Sequence, residues 1–139
     1  MLNGYTEYKY PNGDRYIGYW YQNKRHGYGV MDYINGTRYE GEWDNDKISG
    51  DGVFYFANGD KYHGSFEDNK FKGFGIYKFG KKSKWANDKY VGEWIDSKRH
   101  GYGVYYYSNG NRYEGEWTEG QQTNGTMYYT NGTERRINK

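Results

Sequence analysis

The sequence predicts an all-β fold, an elongated single-layer antiparallel meander of about six β-hairpin repeats. Three observations carry that expectation. The pattern Tyr-x-Gly-x-(Trp/Phe) recurs five times in phase. Asn-Gly pairs recur in phase between short alternating segments. The composition holds 20 Tyr, 22 Gly and a single Pro among 139 residues. Gly disfavours helix and Tyr favours strand.

The first observation fixes the period. The copies are Tyr16-Ile17-Gly18-Tyr19-Trp20, Tyr39-Glu40-Gly41-Glu42-Trp43, Tyr62-His63-Gly64-Ser65-Phe66, Tyr90-Val91-Gly92-Glu93-Trp94 and Tyr113-Glu114-Gly115-Glu116-Trp117, with first residues 23, 23, 28 and 23 apart. The odd interval is an insertion of five residues. Seven residues after each of the first four Trp/Phe positions comes Gly-x-Gly, beginning at Gly27, Gly50, Gly73 and Gly101. An aromatic follows four residues past the second Gly: Tyr33, Phe56, Phe79 and Tyr107. Asn35-Gly36, Asn58-Gly59 and Asn109-Gly110 come next, with Asn12-Gly13 and Asn131-Gly132 in the same phase at the ends. Asn-Gly between alternating strands is the strongest short-range hairpin signal. Each unit reads strand, Asn-Gly turn, strand, polar loop, giving hairpins of about 4–20, 27–43, 50–66, 73–94, 101–117 and 124–137 within one array spanning 1–139. Gly-x-Gly is not a phosphate loop here, because such loops need a helix after the glycines.

Alternation assigns the faces. Tyr39, Gly41 and Trp43 share one side and Arg38, Glu40 and Glu42 the other. A two-residue turn at Asn35-Gly36 would split the aromatics between faces. A three-residue loop, Ile34-Asn35-Gly36, pairs Tyr33 with Thr37 and keeps them together, with Gly36 at positive φ in a bulge.

The repeat resembles the MORN (membrane occupation and recognition nexus) family. Tyr39-Glu40-Gly41-Glu42-Trp43, Lys98-Arg99-His100-Gly101-Tyr102-Gly103 and Asn109-Gly110-Asn111-Arg112-Tyr113 carry the likeness. The resemblance implies a twisted single-layer MORN array with a groove along one face. It also implies a protein-interaction role, often at cytoskeletal, ciliary or membrane-associated structures. Three units depart from the pattern. Asn87 replaces Gly in the fourth, Thr6 replaces the second Gly in the first, and the last loses its first Gly and carries Arg135 for Tyr.

Chemistry is argued against. Cys is absent, which removes Cys-based zinc sites and disulfides. His26 and His100 lie three repeats apart, about 29 Å at two strands per repeat, too far to share a metal. The Glu40/Glu42 and Glu114/Glu116 pairs read as a solvated charged face. No catalytic residue, metal or cofactor is expected, and the chain is read as not an enzyme. The formal charge of +2 gives no general pull toward nucleic acid. The N-terminus has neither a basic n-region nor an apolar h-region, so no signal peptide is expected and a cytoplasmic location is, with the cytoskeleton or a cilium as the implied setting.

The expected function is a scaffold that holds a helical or extended segment of a partner protein on an aromatic face. The candidate binding residues are Tyr39, Trp43, Phe54, Phe56, Tyr62, Phe66, Tyr77, Tyr90, Trp94, Tyr105 and Tyr107. The alternative is a peripheral membrane module for anionic phosphoinositides, using the inserted loop with Lys81, Lys82, Lys84 and Trp85. A homodimer is a further candidate assembly.

Overall fold

The computed structural model describes all residues from Met1 to Lys139. Twelve strands form one open antiparallel sheet in chain order, and there is no helix. They are β1 (Gly4–Lys9), β2 (Arg15–Tyr21), β3 (Lys24–Asp32), β4 (Arg38–Asp44), β5 (Lys47–Tyr55), β6 (Lys61–Glu67), β7 (Lys70–Lys78), β8 (Lys89–Ile95), β9 (Lys98–Tyr106), β10 (Arg112–Thr118), β11 (Gln121–Tyr128) and β12 (Glu134–Ile137).

The two rims of the sheet turn by different chemistry. On one rim the Asn-Gly loops have three residues. The N–H of Tyr33 donates to Thr37 O at 2.9 Å, the N–H of Gly36 donates to Tyr33 O at 3.1 Å, and Gly36 has φ 93. Asn35 Oδ1 accepts from the Thr37 N–H at 2.9 Å, so the Asn side chain braces its own loop. The insertion leaves this closure intact: the Phe79 N–H donates to Asp88 O at 3.0 Å, and Asn87, with φ 66, stands in the place of the loop glycine.

On the other rim the segments expected to be polar loops are strand joined by two-residue turns. Gln22-Asn23, Asn45-Asp46, Asp68-Asn69, Asp96-Ser97 and Glu119-Gly120 all have positive φ at both residues, the signature of type I′. Asn and Asp tolerate that region better than other side chains, and their side chains contribute. The N–H of Asn69 donates to Ile48 O at 2.9 Å while its Oδ1 accepts from the Ile48 N–H at 2.8 Å. Asp46 clasps Arg25 and Ser97 clasps Phe71 in the same two-point way. The first turn is held by Leu2 and Asn3, and each later turn is pinned to the strand that opens after the preceding turn of the same rim, at a sequence spacing that short-range patterns do not reveal.

The two glycines of Gly-x-Gly do different work. Gly18 faces Gly29 and Trp20 faces Arg25, so three residues of β3 oppose Tyr19 alone. Gly27, at φ 80, makes that bulge. Gly29 makes room for a ring: a Cβ there would stand 1.9 Å from the Tyr16 phenol oxygen. Tyr16 lies flat over the Gly18–Gly29 pair and donates to Tyr19 O at 3.0 Å. Tyr39, Tyr62, Tyr90 and Tyr113 repeat the arrangement. In the last unit Gly115 faces Gly125 and Trp117 faces Gln122, so the bulge is one residue shorter and its glycine is not needed.

The core is a spine of rings along one face. Each Tyr meets its own Trp or Phe and the next repeat's edge to face: Tyr16 with Trp20 at 5.0 Å and Trp43 at 5.5 Å, Tyr39 with Trp43 and Phe66 at 5.3 Å each, and Tyr62 with Phe66 at 5.1 Å and Trp94 at 5.5 Å. Trp94 Nε1 donates to Gly75 O at 3.2 Å, tying its ring to the repeat before. Edge-to-face pairs add about 0.5–1.5 kcal/mol each beyond area burial. A sheet one layer thick thus acquires an interior built mainly of rings, with Met31 and Ile48 its two buried aliphatic side chains.

Candidate partner-binding groove

The eleven aromatics expected to bind divide into two sets. Tyr39, Trp43, Tyr62, Phe66, Tyr90, Trp94 and Tyr105 are buried in the core. Their rings are enclosed by this chain and offer almost no surface, because they form or abut the spine. Phe54, Phe56, Tyr77 and Tyr107 are half-buried and pack against the spine from one side only.

These four belong to a second row, between the spine and the Asn-Gly rim. Phe54 and Phe56 lie 4.7 Å apart, Phe56 and Tyr77 5.7 Å, Tyr77 and Phe79 4.8 Å, and Phe79 and Tyr105 6.2 Å. The row continues through Tyr105 to Tyr107 at 4.7 Å. Two adjoining depressions of about 340 and 380 Å³ open over it, sharing Phe79, Trp85, Arg99 and Gly120 as walls.

The inserted loop builds one of those walls. Trp85 reaches over to Phe79 at 5.8 Å and remains about half exposed, at 53%. Lys84 Nζ lies 5.3 Å from the Trp85 ring, and Lys81 and Lys82 are exposed. The structure therefore brings Trp85 to the aromatic row, while Lys81 and Lys82 point no binding group into it.

Phe71, Phe79 and Arg99 join this site although the sequence pattern did not single them out for it. Phe71 stacks on Tyr62 at 3.8 Å and faces Phe66 across the pair of strands, and Arg99 faces Trp94 in the same way. The signal was the turn chemistry of Asp68-Asn69 and Asp96-Ser97. Read as two-residue turns, they place Phe71 and Arg99 on the ring face by strict alternation.

Two buried acids set the polar edge of the groove. Asp60 accepts from the Tyr77 phenol at 2.6 Å and from the Gly80 N–H at 2.7 Å. Asp88 accepts from the Tyr105 phenol at 2.6 Å and from the Ser108 N–H at 2.8 Å. Burial, with the adjacent carboxylate, pushes both phenols above the usual tyrosine range, so each stays a donor. These acids fix ring orientation and staple successive Asn-Gly loops together. No buried side-chain nitrogen or oxygen lacks a partner.

The arrangement can take up apolar side chains along the row and an anion at Arg99. No helix is long and apolar enough to cross a membrane.

Comparison with known proteins agrees with the repeat geometry. The family described as MORN repeat matches residues 16–38, 39–61, 62–84, 90–112 and 113–134. The match at 62–84 ends inside the insertion, and the next resumes at Tyr90. Among solved structures, the chain is similar to the TCP domain of SAS-4 (dCPAP) in complex with a proline-rich motif of Ana2 (dSTIL) of Drosophila melanogaster, with 16% identity, a TM-score of 0.40, and coverage of 100% of this chain and 88% of that one. A search of curated proteins returns no match. The five consecutive matches, each holding one Tyr-x-Gly-x-(Trp/Phe) copy, make this chain a member of the MORN repeat family.

Proposed function

We propose that the chain is a non-catalytic scaffold that holds a helical or extended segment of a partner protein along the Phe54–Tyr107 row. One observation carries the reading. Phe54, Phe56, Phe71, Tyr77 and Phe79 form a contiguous apolar row whose outer sides this chain leaves open. Contiguous exposed apolar surface marks interaction sites, and an amphipathic helix in a groove is a recurring use of one. From β5 to β9 the row crosses four strand spacings, about 19 Å. A helix of about 13 residues has the same length. The setting we propose is cytoplasmic, in a cytoskeletal or ciliary assembly, by family likeness alone.

The test is affinity capture followed by mass spectrometry with three forms of the chain. A partner held by the row is captured by wild type and by Tyr8→Ala, and lost with Phe56→Ala and Tyr77→Ala. Melting temperatures must show that those two variants remain folded. A partner retained by both folded variants would move the site off the row.

A further inference from the structure

Two repeats provide an internal control for what the groove is built to receive. Arg25 and Arg99 occupy equivalent positions near the starts of β3 and β9, facing Trp20 and Trp94. Each guanidinium lies 4.6 Å from the ring of the next Trp, Trp43 for Arg25 and Trp117 for Arg99. At Arg25 the site is complete. Asp46, the second residue of the turn after β4, accepts at Oδ1 from the Arg25 backbone N–H at 2.8 Å and from its Nε at 2.9 Å. Its carbonyl accepts from Nη2 at 3.2 Å. Burial works against the Asp46 charge, but the bonds from Arg25 outweigh it and hold the carboxyl below its ordinary value.

At Arg99 the equivalent turn residue is Gly120. The backbone contacts persist: the Gly120 N–H donates to Arg99 O at 2.9 Å, and its carbonyl accepts from Arg99 Nη2 at 3.2 Å. The carboxylate is missing. Glu119, the other turn residue, pairs instead with Lys98 at 3.1 Å, and Asp88 is held by Tyr105 and Ser108. Arg99 forms no ion pair, yet it lies on the shared wall of both depressions, beside Phe79, Trp85 and Gly120. A guanidinium among rings, with its internal partner removed, is an anion seat open to the groove.

The geometry points to Arg99 as the seat for an Asp or Glu side chain of the partner segment, which takes the place Asp46 holds at Arg25. Apolar side chains of the same segment fill the Phe56–Phe71–Tyr77–Phe79 trough beside it. Charge complementarity supports an acidic partner, since Arg99 keeps no carboxylate of its own and Lys84 lies over Trp85 on the trough's wall, while Lys98 beside them is already paired with Glu119. The inference rests on the scaffold reading and adds the partner's chemistry.

Gly120→Asp is the informative variant, because it supplies the missing carboxylate from within. The space accepts it, since a Cβ at Gly120 meets nothing within 4 Å, and its φ of 83 carries a backbone cost for any side chain but lies near the 70 that Asp46 already holds. The experiment selects displayed random 12-residue peptides on the full chain. It then measures one selected peptide against wild type, Arg99→Gln, Gly120→Asp and Phe56→Ala, with and without its acidic residue changed to the amide. The selected peptides should carry Asp or Glu next to apolar residues. Arg99→Gln and the peptide amide should each weaken binding about tenfold, and together little more than either alone. Gly120→Asp should keep the fold, by its circular dichroism, and still weaken the acidic peptide. Peptides that need Phe56 but show no acidic enrichment, and bind Arg99→Gln and Gly120→Asp as tightly as wild type, would overturn the Arg99 seat and leave the scaffold reading standing. Peptides indifferent to Phe56, or no selected peptide at all, would overturn both.

Discussion

Tyr62 and Tyr77 face each other across β6 and β7 and meet different fates. Tyr62 is fully buried. It lies over the Gly64–Gly75 pair, is held between Phe66 and Trp94, and donates to a backbone carbonyl, Ser65 O, at 2.8 Å. Tyr77 lies over no glycine pair, keeps one side open, and donates to a side chain, Asp60, at 2.6 Å. Residue type and face are the same for both. Both rings have aromatic neighbours, Tyr77 having Phe56 and Phe79, but only Tyr62 sinks onto a glycine pair, and that seat turns one ring into architecture while its absence leaves the other available.

The largest effect should come from removing the seat under a spine ring. A Cβ at Gly75 would stand 2.2 Å from the Tyr62 phenol oxygen and 2.4 Å from its ring carbons. Neither side can yield, because the ring is enclosed. Gly75→Val should cost about 4 kcal/mol or more, combining overpacking with loss of the ring's burial. Gly132→Ala is the control: φ is 89, but nothing lies within 4 Å of the new Cβ, so only the backbone cost of about 1–2 kcal/mol applies. Urea denaturation of both variants measures the gap. A loss at Gly75, whose φ is not positive, no larger than the loss at Gly132 would mean that the Tyr62 ring yields and the seat is not needed.

The next contrast separates spine from row. Trp94→Ala should cost about 3–5 kcal/mol of stability and lose partner binding only because the array loosens. Phe56→Ala should cost less stability, as the ring is already half exposed, and should weaken partner binding by more than about 1 kcal/mol at unchanged fold. Trp43 belongs with Trp94, being 4% exposed, although its place on the ring face made it a candidate hot spot from sequence. Tyr8→Ala and Tyr129→Ala, in the end hairpins, should leave binding nearly intact. Melting curves paired with binding isotherms decide the matter, and Trp94→Ala binding normally while folded would blur the division.

High pH tests the spine as a whole. Burial raises the phenols of Tyr16, Tyr39, Tyr62, Tyr77, Tyr90 and Tyr105 well above their ordinary value. A raised folded pKa means the folded chain keeps protons that the unfolded chain gives up. The stability held this way is whole below pH of about 10 and falls as pH rises beyond it, by about 1.4 kcal/mol per pH unit for each phenol. The rise in phenolate absorbance from these six rings should coincide with unfolding. A single smooth titration with the fold intact would show that the spine phenols reach solvent.

Much of this was legible in the sequence. The hairpin count, the shared ring face and the three-residue Asn-Gly loop follow from periodicity and alternation, which are local. The pinned turns were not legible, because Asn69 clasps Ile48 and Asp46 clasps Arg25 across 21 residues. The split of the aromatics was hidden for a related reason. Whether Tyr77 or Tyr62 is covered depends on rings supplied by the next repeat, and both have aromatic neighbours in sequence. Asp60 and Asp88 look like ordinary turn residues until the Tyr at position 17 further on is brought to them.

The smallest expected effect concerns the inserted loop as a lipid anchor. Its cations are exposed, and each Lys near an anionic surface contributes about 1 kcal/mol. Three of them together reach only about 3 kcal/mol, a millimolar affinity or weaker, and physiological salt screens it within about 8 Å. An anchoring Trp would raise that figure, but Trp85 already packs against Phe79 and walls the groove, so inserting it into a membrane would uncover the row. Co-sedimentation with phosphoinositide-containing vesicles should therefore be weak at low salt and absent at physiological salt. Changing Lys81, Lys82 and Lys84 together to Glu should remove the low-salt component, whereas changing Lys81 and Lys82 alone should leave partner binding on the row within about twofold, since neither lines the depressions over it. Strong sedimentation at physiological salt, abolished by the same triple change, would make the loop a membrane site and the row secondary to it.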